Sequence, residues 1–472
     1  MLFNSFEFLC FLPIVFLIYW LFCRTQQKQN SLLLVASYVF YGWWSYTFLA
    51  LIIATTLLSY VCAILIDRFR GTIKSKLILC TNIVVNLGIL LVYKYFDFFS
   101  INFALAMGAI GIQVDAITLN LILPVGISFY TFQALSYCID VYRNQIPSTH
   151  NYINYSVFIA FFPQLVAGPI ERATNLLPQF QRIRTFNYSQ SVQGMKYILW
   201  GLFKKMVVAD TCAPAVDQIF SQYQTVNSLN LWLGAILFSF QIYCDFSGYS
   251  DIALGTARLF GIKLMNNFRM PYLATSINDF WKRWHISLTS WFRDYIYVPL
   301  GGNRKGKRRQ AVNTASIFLL SGLWHGANFT FIIWGLYHAI LFLPKIFFKR
   351  QNPTPGYNKW FVTTFASGIT FLLVMIGWIL FRSVSITDAI IYVHRMFSEF
   401  DAGPLVTGKK ALLWCAVLIV LEIINRKKET PFDFNRGVLT KYVFLRWSIY
   451  VMTFLIILLF QGYSESFIYF QF

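Results

Sequence analysis

Long apolar runs separated by short polar segments extend over almost the whole chain. Ten of these runs are apolar enough to be interpreted as membrane-spanning helices, which take about 20 residues per crossing. They lie near residues 6–23, 31–45, 47–66, 77–95, 119–142, 191–209, 229–247, 360–381, 411–424 and 442–460. The pattern predicts an all-α, polytopic membrane protein with about 10–12 transmembrane helices.

Two further apolar stretches are interrupted by helix-breaking residues. Gly168-Pro169 ends the stretch 153–169, and Gly322 and Gly326 lie inside the stretch 311–344. Irregular backbone at membrane depth survives only where it is buried in protein or lines a cavity. Both stretches are therefore predicted to be broken or re-entrant. Because no repeat or linker interrupts the pattern, we expect one domain over residues 1–472.

Composition and charge narrow the class of protein. The chain is 57% hydrophobic and only 12% charged, which excludes an ordinary soluble globular protein. Its 39 Lys and Arg against 19 Asp and Glu give a net charge of +20. These cations are dispersed among loops, which predicts contact with the lipid bilayer and argues against nucleic acid. The eight cysteines form no C-x-x-C pair and are interpreted as structural thiols, with no metal site.

The distribution of charge predicts an orientation. Basic residues follow the first and third runs and fill residues 258–310, so these segments are expected on the cytoplasmic side, with the N-terminus outside. The segments 96–118 and 210–228 contain Asp but no Lys or Arg, and they are expected to be outer loops. The first run lacks a basic start and a small-residue cleavage site, so it is interpreted as a span rather than a signal peptide.

One imidazole stands out within the second broken stretch. His325 lies between Gly322 and Gly326, in a region without Asp, Glu, Lys or Arg from Gln310 to Lys345. An ionisable side chain at membrane depth is costly and indicates a functional site, and histidine suits base catalysis near neutral pH. The competing interpretation is a Gly-x-x-x-Gly packing seam in which His325 bonds a neighbouring carbonyl.

A second aromatic and histidine-containing segment covers residues 278–295. If this segment is one helix, an inward face is formed by Asn278, Trp281, His285, Leu288 and Phe292, and the cations lie elsewhere. This pattern is typical of an interfacial helix and predicts that His285 points into the protein. The alternative is an interfacial helix whose histidine is only packed.

A cationic, glycine-rich loop follows at residues 301–309, with Arg304, Lys305 and Arg308 among its charges. Two interpretations compete and are compatible: an anchor to anionic lipid, or a phosphate-binding loop for a nucleotide-tailed thioester donor. The P-loop spacing is absent.

Transfer of an acyl group to a hydroxyl needs a base and stabilisation of the oxyanion. The sequence has neither a G-x-S-x-G elbow nor an H-E-x-x-H motif. These absences favour direct transfer, in which one imidazole deprotonates the acceptor hydroxyl and a second group orients the substrate or the base. His325 and His285 both flank the basic loop and could converge. His338 is expected to pack within a helix, and His150 and His394 to lie in solvated loops. A transporter without chemistry would also use broken helices around a polar cavity, and it stays the alternative from another class.

The combined motifs resemble a known family. The chain is similar to the membrane-bound O-acyltransferase family, in particular to its branch of bacterial alginate O-acetyltransferase membrane subunits. The similarity lies in residues 280–288, 293–295 and 299–302, followed by residues 321–326. The stretches 162–170, 178–180, 243–251 and 467–470 look like the same branch.

The resemblance implies a ring of helices around a central tunnel, with re-entrant and interfacial helices. It maps the family's essential histidine onto His325 and its second motif residue onto His285. It implies an acetyl-CoA or other acyl thioester donor, no bound cofactor, and acceptor hydroxyls on an extracytoplasmic polysaccharide such as an alginate-type exopolysaccharide or the cell wall. It further implies the bacterial inner membrane as the location and a periplasmic or extracellular partner. D-alanine is the alternative acyl group.

Substrate contacts are assigned to Asn278, Trp281, Trp324, Arg304, Lys305, Arg308, Asp245 and Tyr249. For Asp245 and Tyr249 a structural hydrogen-bond network is an equal alternative.

Overall fold

The computed structural model describes most of the chain as helices. It describes residues 1–166, 168–348, 359–399, 401, 403–426, 428, 430–433, 442–460 and 467–468, with the backbone alone at 359 and 360. These residues contain no β-strand, which confirms the all-α prediction. The chain divides into two compact units, Met1–Met195 with Ala253–Met265, and Lys196–Ile252 with Asn266–Phe472. The single domain, the ring of helices and the central tunnel stay predictions.

The first unit is built from eight helices and the segments that join them, among the residues described. They are α1 (Phe6–Phe22), α2 (Gln26–Gly42), α3 (Tyr46–Arg68), α4 (Ile73–Ala109), α5 (Ile127–Tyr142), α6 (Tyr152–Ala160), α7 (Phe162–Leu165) and α8 (Ala173–Phe180). Helix α9 (Tyr188–Leu202) and helix α11 (Ser228–Leu259) contain the residues at which the chain passes between the units.

The second unit contains the predicted site residues. Its helices are α10 (Asp210–Ser221), α12 (Ile277–Trp281), α13 (Ile286–Phe292), α14 (Gly306–His325), α15 (Phe329–Phe347), α16 (Lys359–Arg382), α17 (Ile386–Ser398), α18 (Lys409–Asn425) and α19 (Val443–Leu459). Two π-helical segments, Phe203–Ala209 and Arg293–Tyr297, and a 3₁₀ turn, Pro271–Leu273, join them.

Five helices among the described residues are long and apolar enough to cross a membrane. They are Tyr46–Arg68, Ile73–Ala109, Ser228–Leu259, Phe329–Phe347 and Phe361–Arg382. Two shorter apolar helices, Phe6–Phe22 and Val443–Leu459, are similar in composition. Six of the seven coincide with predicted spans, because hydrophobicity over about 20 residues is the main determinant of a membrane helix. The other, Phe329–Phe347, lies in the stretch 311–344, which was predicted to be broken or re-entrant.

Two predicted outer loops are partly helical. Helix α4 continues to Ala109 rather than ending near residue 95, and helix α10 begins at Asp210. Asp97, the acidic residue that suggested a loop, accepts hydrogen bonds from the backbone N–H groups of Leu119 (2.7 Å) and Asn120 (3.0 Å). The carboxylate is satisfied by the returning segment, so it does not require the helix to end.

The first broken stretch is interrupted earlier than predicted, at Phe161, and again in the non-helical segment that contains Gly168. Helix α6 ends at Ala160, and the four-residue helix α7 follows. The buried carboxylate of Glu171 accepts hydrogen bonds from the backbone N–H of Met265 (2.5 Å) and the side chain of Asn175 (2.8 Å). Burial raises the pKa of Glu171 to about 7. Glu171 therefore stabilises the turn after the break within the first unit.

The second broken stretch is a tight helical hairpin. A Cβ atom on Gly322 of α14 would lie 2.2 Å from the carbonyl oxygen of Phe331, and one on Gly335 of α15 would lie 2.3 Å from that of Phe318. The two backbones therefore approach too closely for any side chain at these positions. Gly326 has an extended conformation and ends α14 directly after His325. The glycines serve both predicted roles: Gly322 forms a packing seam and Gly326 breaks the helix.

Candidate active site

His325 is the last residue of α14, and its imidazole is enclosed by aromatic rings. It is 5% exposed. The rings of Trp324, Trp334 and Phe381 approach it edge-on, with centroid distances of 4.9, 5.1 and 5.2 Å. After the break, Asn328 caps α15 by accepting the N–H of Thr330 (3.0 Å). The imidazole thus lies where one helix has ended and the next has not begun, among rings that exclude bulk water.

His285 is also buried, but it is not on a continuous helix as the sequence pattern suggested. It is 1% exposed and lies between α12 and α13 in a left-handed conformation, with φ +42°. This corrects the prediction of one helix over 278–292. The expected inward direction of His285 is confirmed by its burial, and its ring lies edge-on to Phe246 at 4.7 Å.

A distant segment of chain causes the turn at His285. The backbone carbonyl of Asn267 accepts the N–H of Ile286 (3.0 Å), and its side-chain carbonyl accepts the N–H of Ser287 (3.2 Å). The Asn267 amide also donates to the hydroxyl of Ser250 (3.4 Å). These bonds satisfy the first backbone donors of α13, which a continuous helix would have satisfied internally. Asn267 is therefore a site-forming residue that local periodicity does not reveal.

Trp324 connects the two histidines. Its ring centroid lies 4.9 Å from that of His325 and 5.7 Å from that of His285. The convergence expected from the sequence is therefore present within the second unit, with one indole in contact with both imidazoles. Trp324 was assigned to the site, and the structure brings it together with both histidines.

Burial determines the charge of the second imidazole. His285 lies outside the five apolar helices, and desolvation lowers its pKa to about 3. The ring is consequently neutral at physiological pH, able to donate from one nitrogen and to accept at the other. A neutral imidazole suits a positioning or proton-accepting role, whereas it would not serve as a fixed cation.

The other assigned residues fall into separate groups. Trp281 packs against Trp334 (5.8 Å between ring centroids), which in turn contacts His325. Asn278 instead accepts a hydrogen bond from Lys345 (2.5 Å) in an exposed position. No contact between Asn278 and either histidine is found in the part of the chain that the structure describes. Its role in substrate binding stays a prediction.

The cationic loop lies at the opposite end of α14 from His325. Arg304, Lys305 and Arg308 are exposed, and the loop takes its shape from Gly301, Gly302 and Gly306, all with positive φ. Asn313 holds this shape by donating to the carbonyl oxygens of Leu300 (3.3 Å) and Gly302 (3.0 Å). Along the helix axis, about 28 Å separate Gly306 from His325. The loop therefore does not surround the imidazole.

Asp245 and Tyr249 belong to a buried ionic network. Lys205 bridges Asp210 (2.7 Å) and Asp245 (2.8 Å), and its ammonium group lies over the ring of Tyr249. Lys204 pairs with Asp251 (2.5 Å). This favours the structural alternative for Asp245, which also accepts the backbone N–H of Ile468 (2.6 Å).

The two lysines were missed by the sequence analysis. Lys204 and Lys205 lie in a π-helical segment, inside a predicted apolar run that ends at residue 209. Two adjacent cations inside such a run carry a signal that could have been used, because buried charges require partners. π-helical segments also occur frequently at functional sites.

The C-terminal residues that the structure describes pack beside this network. Phe467 contacts Tyr249 (4.5 Å between ring centroids) and Phe246 (6.0 Å), and Phe246 is the ring that contacts His285. Residues 469 and 470, the remainder of the terminal motif, lie outside the described residues. The contacts nevertheless link the ionic network to the histidine site within the second unit.

The arrangement of these residues indicates a class of protein. Two buried imidazoles share an aromatic neighbour at a helix break, in a chain with several apolar membrane helices. No group of three or more His, Cys, Asp or Glu suited to hold a metal occurs among the described residues. This arrangement fits proton transfer at a membrane-embedded centre, as direct acyl transfer requires.

Comparison with known proteins agrees with that class. The model of the membrane-bound O-acyltransferase family matches residues 141–387. A probable alginate O-acetylase of Pseudomonas putida is 38% identical over 99% of this chain and 99% of its own. A peptidoglycan O-acetyltransferase of Helicobacter pylori is 34% identical over 83% of this chain and 78% of its own. A teichoic acid D-alanyltransferase of Bacillus subtilis is 32% identical over 56% of this chain and 69% of its own.

The chain therefore belongs to the membrane-bound O-acyltransferase family. It is a multi-pass membrane enzyme that transfers acyl groups. The family resemblance seen in the sequence is confirmed.

Proposed function

We propose that this enzyme moves an acetyl group from a cytosolic thioester toward hydroxyl groups of an extracytoplasmic polysaccharide, by way of a partner. His325 acts as the general base and His285 orients the reacting groups. The observation that carries the proposal is the pair of buried imidazoles on either side of Trp324, at 4.9 and 5.7 Å between ring centroids.

The proposed reaction is a direct transfer without a covalent enzyme intermediate. The acceptor hydroxyl gives its proton to the imidazole of His325 while its oxygen attacks the thioester carbonyl carbon. The carbon–sulfur bond then breaks, and the proton passes from His325 to the departing thiolate. General-base assistance of this kind contributes about 10²- to 10⁴-fold to the rate. The surrounding rings of Trp324, Trp334 and Phe381 exclude water that would otherwise hydrolyse the thioester.

On the donor side, the cationic loop before α14 supports an acetyl-CoA or related donor. Arg304, Lys305 and Arg308 are exposed, and the first turn of α14 contains no acidic residue. Cations beside the positive end of a helix dipole favour a bound anion such as a nucleotide phosphate. Because about 28 Å of helix separate this loop from His325, the loop would recruit the donor rather than hold the reacting carbonyl.

The relatives support a carbohydrate acceptor. They include a probable alginate O-acetylase and a peptidoglycan O-acetyltransferase, so we infer a carbohydrate hydroxyl outside the cytoplasm. We also infer the bacterial inner membrane as the location and a periplasmic or extracellular partner that completes the transfer to the polymer. The D-alanyltransferase relatives support a second candidate, in which the acyl group is D-alanine.

The proposal is tested by measuring acetyl groups on the surface polymer of cells that carry His325→Ala. We expect polymer acetylation to be lost at unchanged protein levels. The matched control is His150→Ala, an exposed histidine whose loss should leave acetylation unchanged. Normal acetylation in the His325→Ala strain would reject the assignment.

The acyl group and the donor are tested with purified enzyme. Labelled acetyl-CoA and a D-alanyl carrier-protein thioester are offered separately, each together with a hydroxyl acceptor, and thioester consumption is followed. We expect consumption of the acetyl thioester, and a several-fold higher KM for it when Arg304 and Arg308 are both replaced by Gln. Consumption of the D-alanyl thioester alone would establish the second candidate, and consumption of neither would favour the transporter.

A further inference from the structure

A second group of buried polar atoms lies beside the histidine site. His338 is 0% exposed, and neither of its ring nitrogens has a hydrogen-bond partner among the residues that the structure describes. The indole nitrogens of Trp281 and Trp334 also lack a partner within the same residues. Four nitrogen atoms that normally make hydrogen bonds are therefore buried without protein partners.

These side chains form one cluster. The ring of His338 lies 5.1 Å from that of Trp281 and 5.0 Å from that of Trp334, and the two indoles are 5.8 Å apart, between centroids. Trp334 continues to His325 at 5.1 Å. His338 is thus separated from the proposed base by one aromatic ring.

One edge of the imidazole is covered by helix α16. A Cβ atom on Gly377 of α16 would lie 2.8 Å from Nε2 of His338 and 3.4 Å from its Cε1, which is a steric overlap. The backbone of α16 therefore packs against this edge of the ring, and a ligand of His338 would approach from the side of the two indoles.

The simplest interpretation, a histidine that only packs, explains this cluster poorly. Phenylalanine would fill the same space without burying two nitrogens, and an unsatisfied buried polar group is destabilising. Buried polar groups of native proteins are normally satisfied by protein or by a small bound molecule.

We propose that His338, Trp281 and Trp334 form a subsite for a neutral oxygen ligand, and that this ligand fixes Trp334 against His325. The two indole N–H groups donate hydrogen bonds, and the neutral imidazole donates from one nitrogen and accepts at the other. A water molecule can accept from the two indoles and donate to one ring nitrogen of His338, and the carbonyl oxygen of the acyl donor can accept from the indoles or from one N–H of the imidazole. His338 is in this account a positioning residue, which acts on His325 through Trp334; its catalytic consequence rests on the proposed function.

The ligand itself is tested without any activity assay. Thermal unfolding of the purified protein in detergent is compared for His338→Phe, His338→Gln and, as a control, His150→Phe. If the subsite is filled, His338→Phe lowers Tm by several degrees, and His338→Gln lowers it less because its amide both donates and accepts. His150→Phe, at an exposed position, leaves Tm unchanged. A Tm of His338→Phe equal to or above the wild type would overturn the proposal.

Electron cryomicroscopy separates the two sources of the oxygen. Density beside His338 and the indole nitrogens of Trp281 and Trp334 in donor-free protein identifies water. Density that appears only with a non-hydrolysable acetyl-thioester analogue identifies the donor carbonyl. Absence of density in both states would overturn the subsite, whichever reaction the enzyme performs.

The positioning role is then measured by kinetics. We expect His338→Phe to lower kcat about 10-fold, and His338→Gln to recover most of it. If the ligand is water, the KM for the donor is unchanged in His338→Phe. If the ligand is the carbonyl oxygen of the donor, this KM is raised. Wild-type kcat in His338→Phe would overturn the positioning role. Inactivity of the wild-type enzyme itself would instead contradict the proposed function, while the Tm and density results would still decide the subsite.

Discussion

At the scale of single residues, the protonation state of His285 is the most directly testable property. Its ring is 1% exposed, and burial lowers its pKa to about 3. A histidine that is neutral in the folded state and free to bind a proton in the unfolded state makes stability depend on pH. The pKa falls on folding, so the stabilising contribution is complete above about 6.5 and is lost as the pH decreases towards 3.

We therefore predict that His285→Gln changes the pH dependence of unfolding. Between pH 8 and pH 5, the wild type should lose stability relative to the variant, by up to about 1.4 kcal/mol for each pH unit below 6.5. Thermal or denaturant unfolding in detergent at a series of pH values measures the difference. His150→Gln, at an exposed position, is the control and should follow the wild type. Parallel curves for the wild type and His285→Gln would show that this imidazole is not neutral in the folded protein.

The residue scale also shows where sequence reasoning reaches its limit. The burial of His325 followed from its apolar context, since a charge in such a region is costly. The burial of His285 followed from the aromatic face of the helical pattern over 278–292. The left-handed turn at His285 could not be predicted, because it depends on hydrogen bonds that Ile286 and Ser287 donate to Asn267, about 20 residues earlier. Periodicity within 278–292 contains no information about such a partner.

At the scale of elements, the α14–α15 hairpin depends on glycine at the contact. Since a Cβ on Gly322 would lie 2.2 Å from a backbone oxygen of Phe331, no side-chain rotation relieves the overlap. We predict that Gly322→Ala separates the helices, destabilises the protein by about 1–3 kcal/mol or more, and displaces His325.

The measurement is the unfolding midpoint together with acyl-transfer activity. The matched control is Gly88→Ala in helix α4, where an added Cβ meets nothing within 4 Å. That change should be neutral or stabilising by about 0.5–1 kcal/mol, as expected for Gly replaced by Ala inside a helix. Equal stability and activity of the two variants would contradict the close-packed hairpin.

The ionic network on the π-helical segment is the second element-scale feature. Lys205 is the partner of both Asp210 and Asp245, and all three side chains are almost fully buried. Loss of one member of a buried ion pair leaves an uncompensated charge and costs about 3–5 kcal/mol. We predict a loss of this size for Lys205→Met, with part of it recovered in Lys205→Met combined with Asp245→Asn.

An exposed pair gives the control for this prediction. Arg293 and Asp294 form a surface salt bridge, so Arg293→Met should cost less than about 1 kcal/mol. The prediction is checked by measuring the unfolding midpoints of Lys205→Met, of Lys205→Met combined with Asp245→Asn, and of Arg293→Met. A small effect of Lys205→Met would mean that the network is solvated and does not hold Asp245 in place.

At the scale of the whole molecule, hydrophobic patterning was sufficient for the fold class. Apolar runs located the membrane helices, and Gly168 and Gly322–Gly326 located both breaks. The helical extent of 96–109 and 210–221 was not predicted, since a few acidic residues were taken as evidence for loops. His394, expected in a loop, lies exposed on helix α17 for the same reason.

The candidate site was predictable in part. Motif resemblance and apolar context both pointed to His325, His285 and Trp324, which the structure brings into contact. The partners of Asp245 were not predictable, because Lys204 and Lys205 are far from it in sequence and look like the end of a span. Trp334, Phe381 and His338 also escaped assignment, since single aromatic residues in apolar helices carry no local signal.

The central claim, that His325 is the base of an acyl transfer, is tested most directly with purified protein in detergent or vesicles. Labelled acetyl thioester and a hydroxyl acceptor are supplied, and thioester consumption is measured for the wild type, His325→Ala and His150→Ala. The account predicts that the wild type and His150→Ala turn over equally, and that His325→Ala is slower by at least about 100-fold with an unchanged unfolding midpoint. Turnover of His325→Ala at the wild-type rate would contradict it.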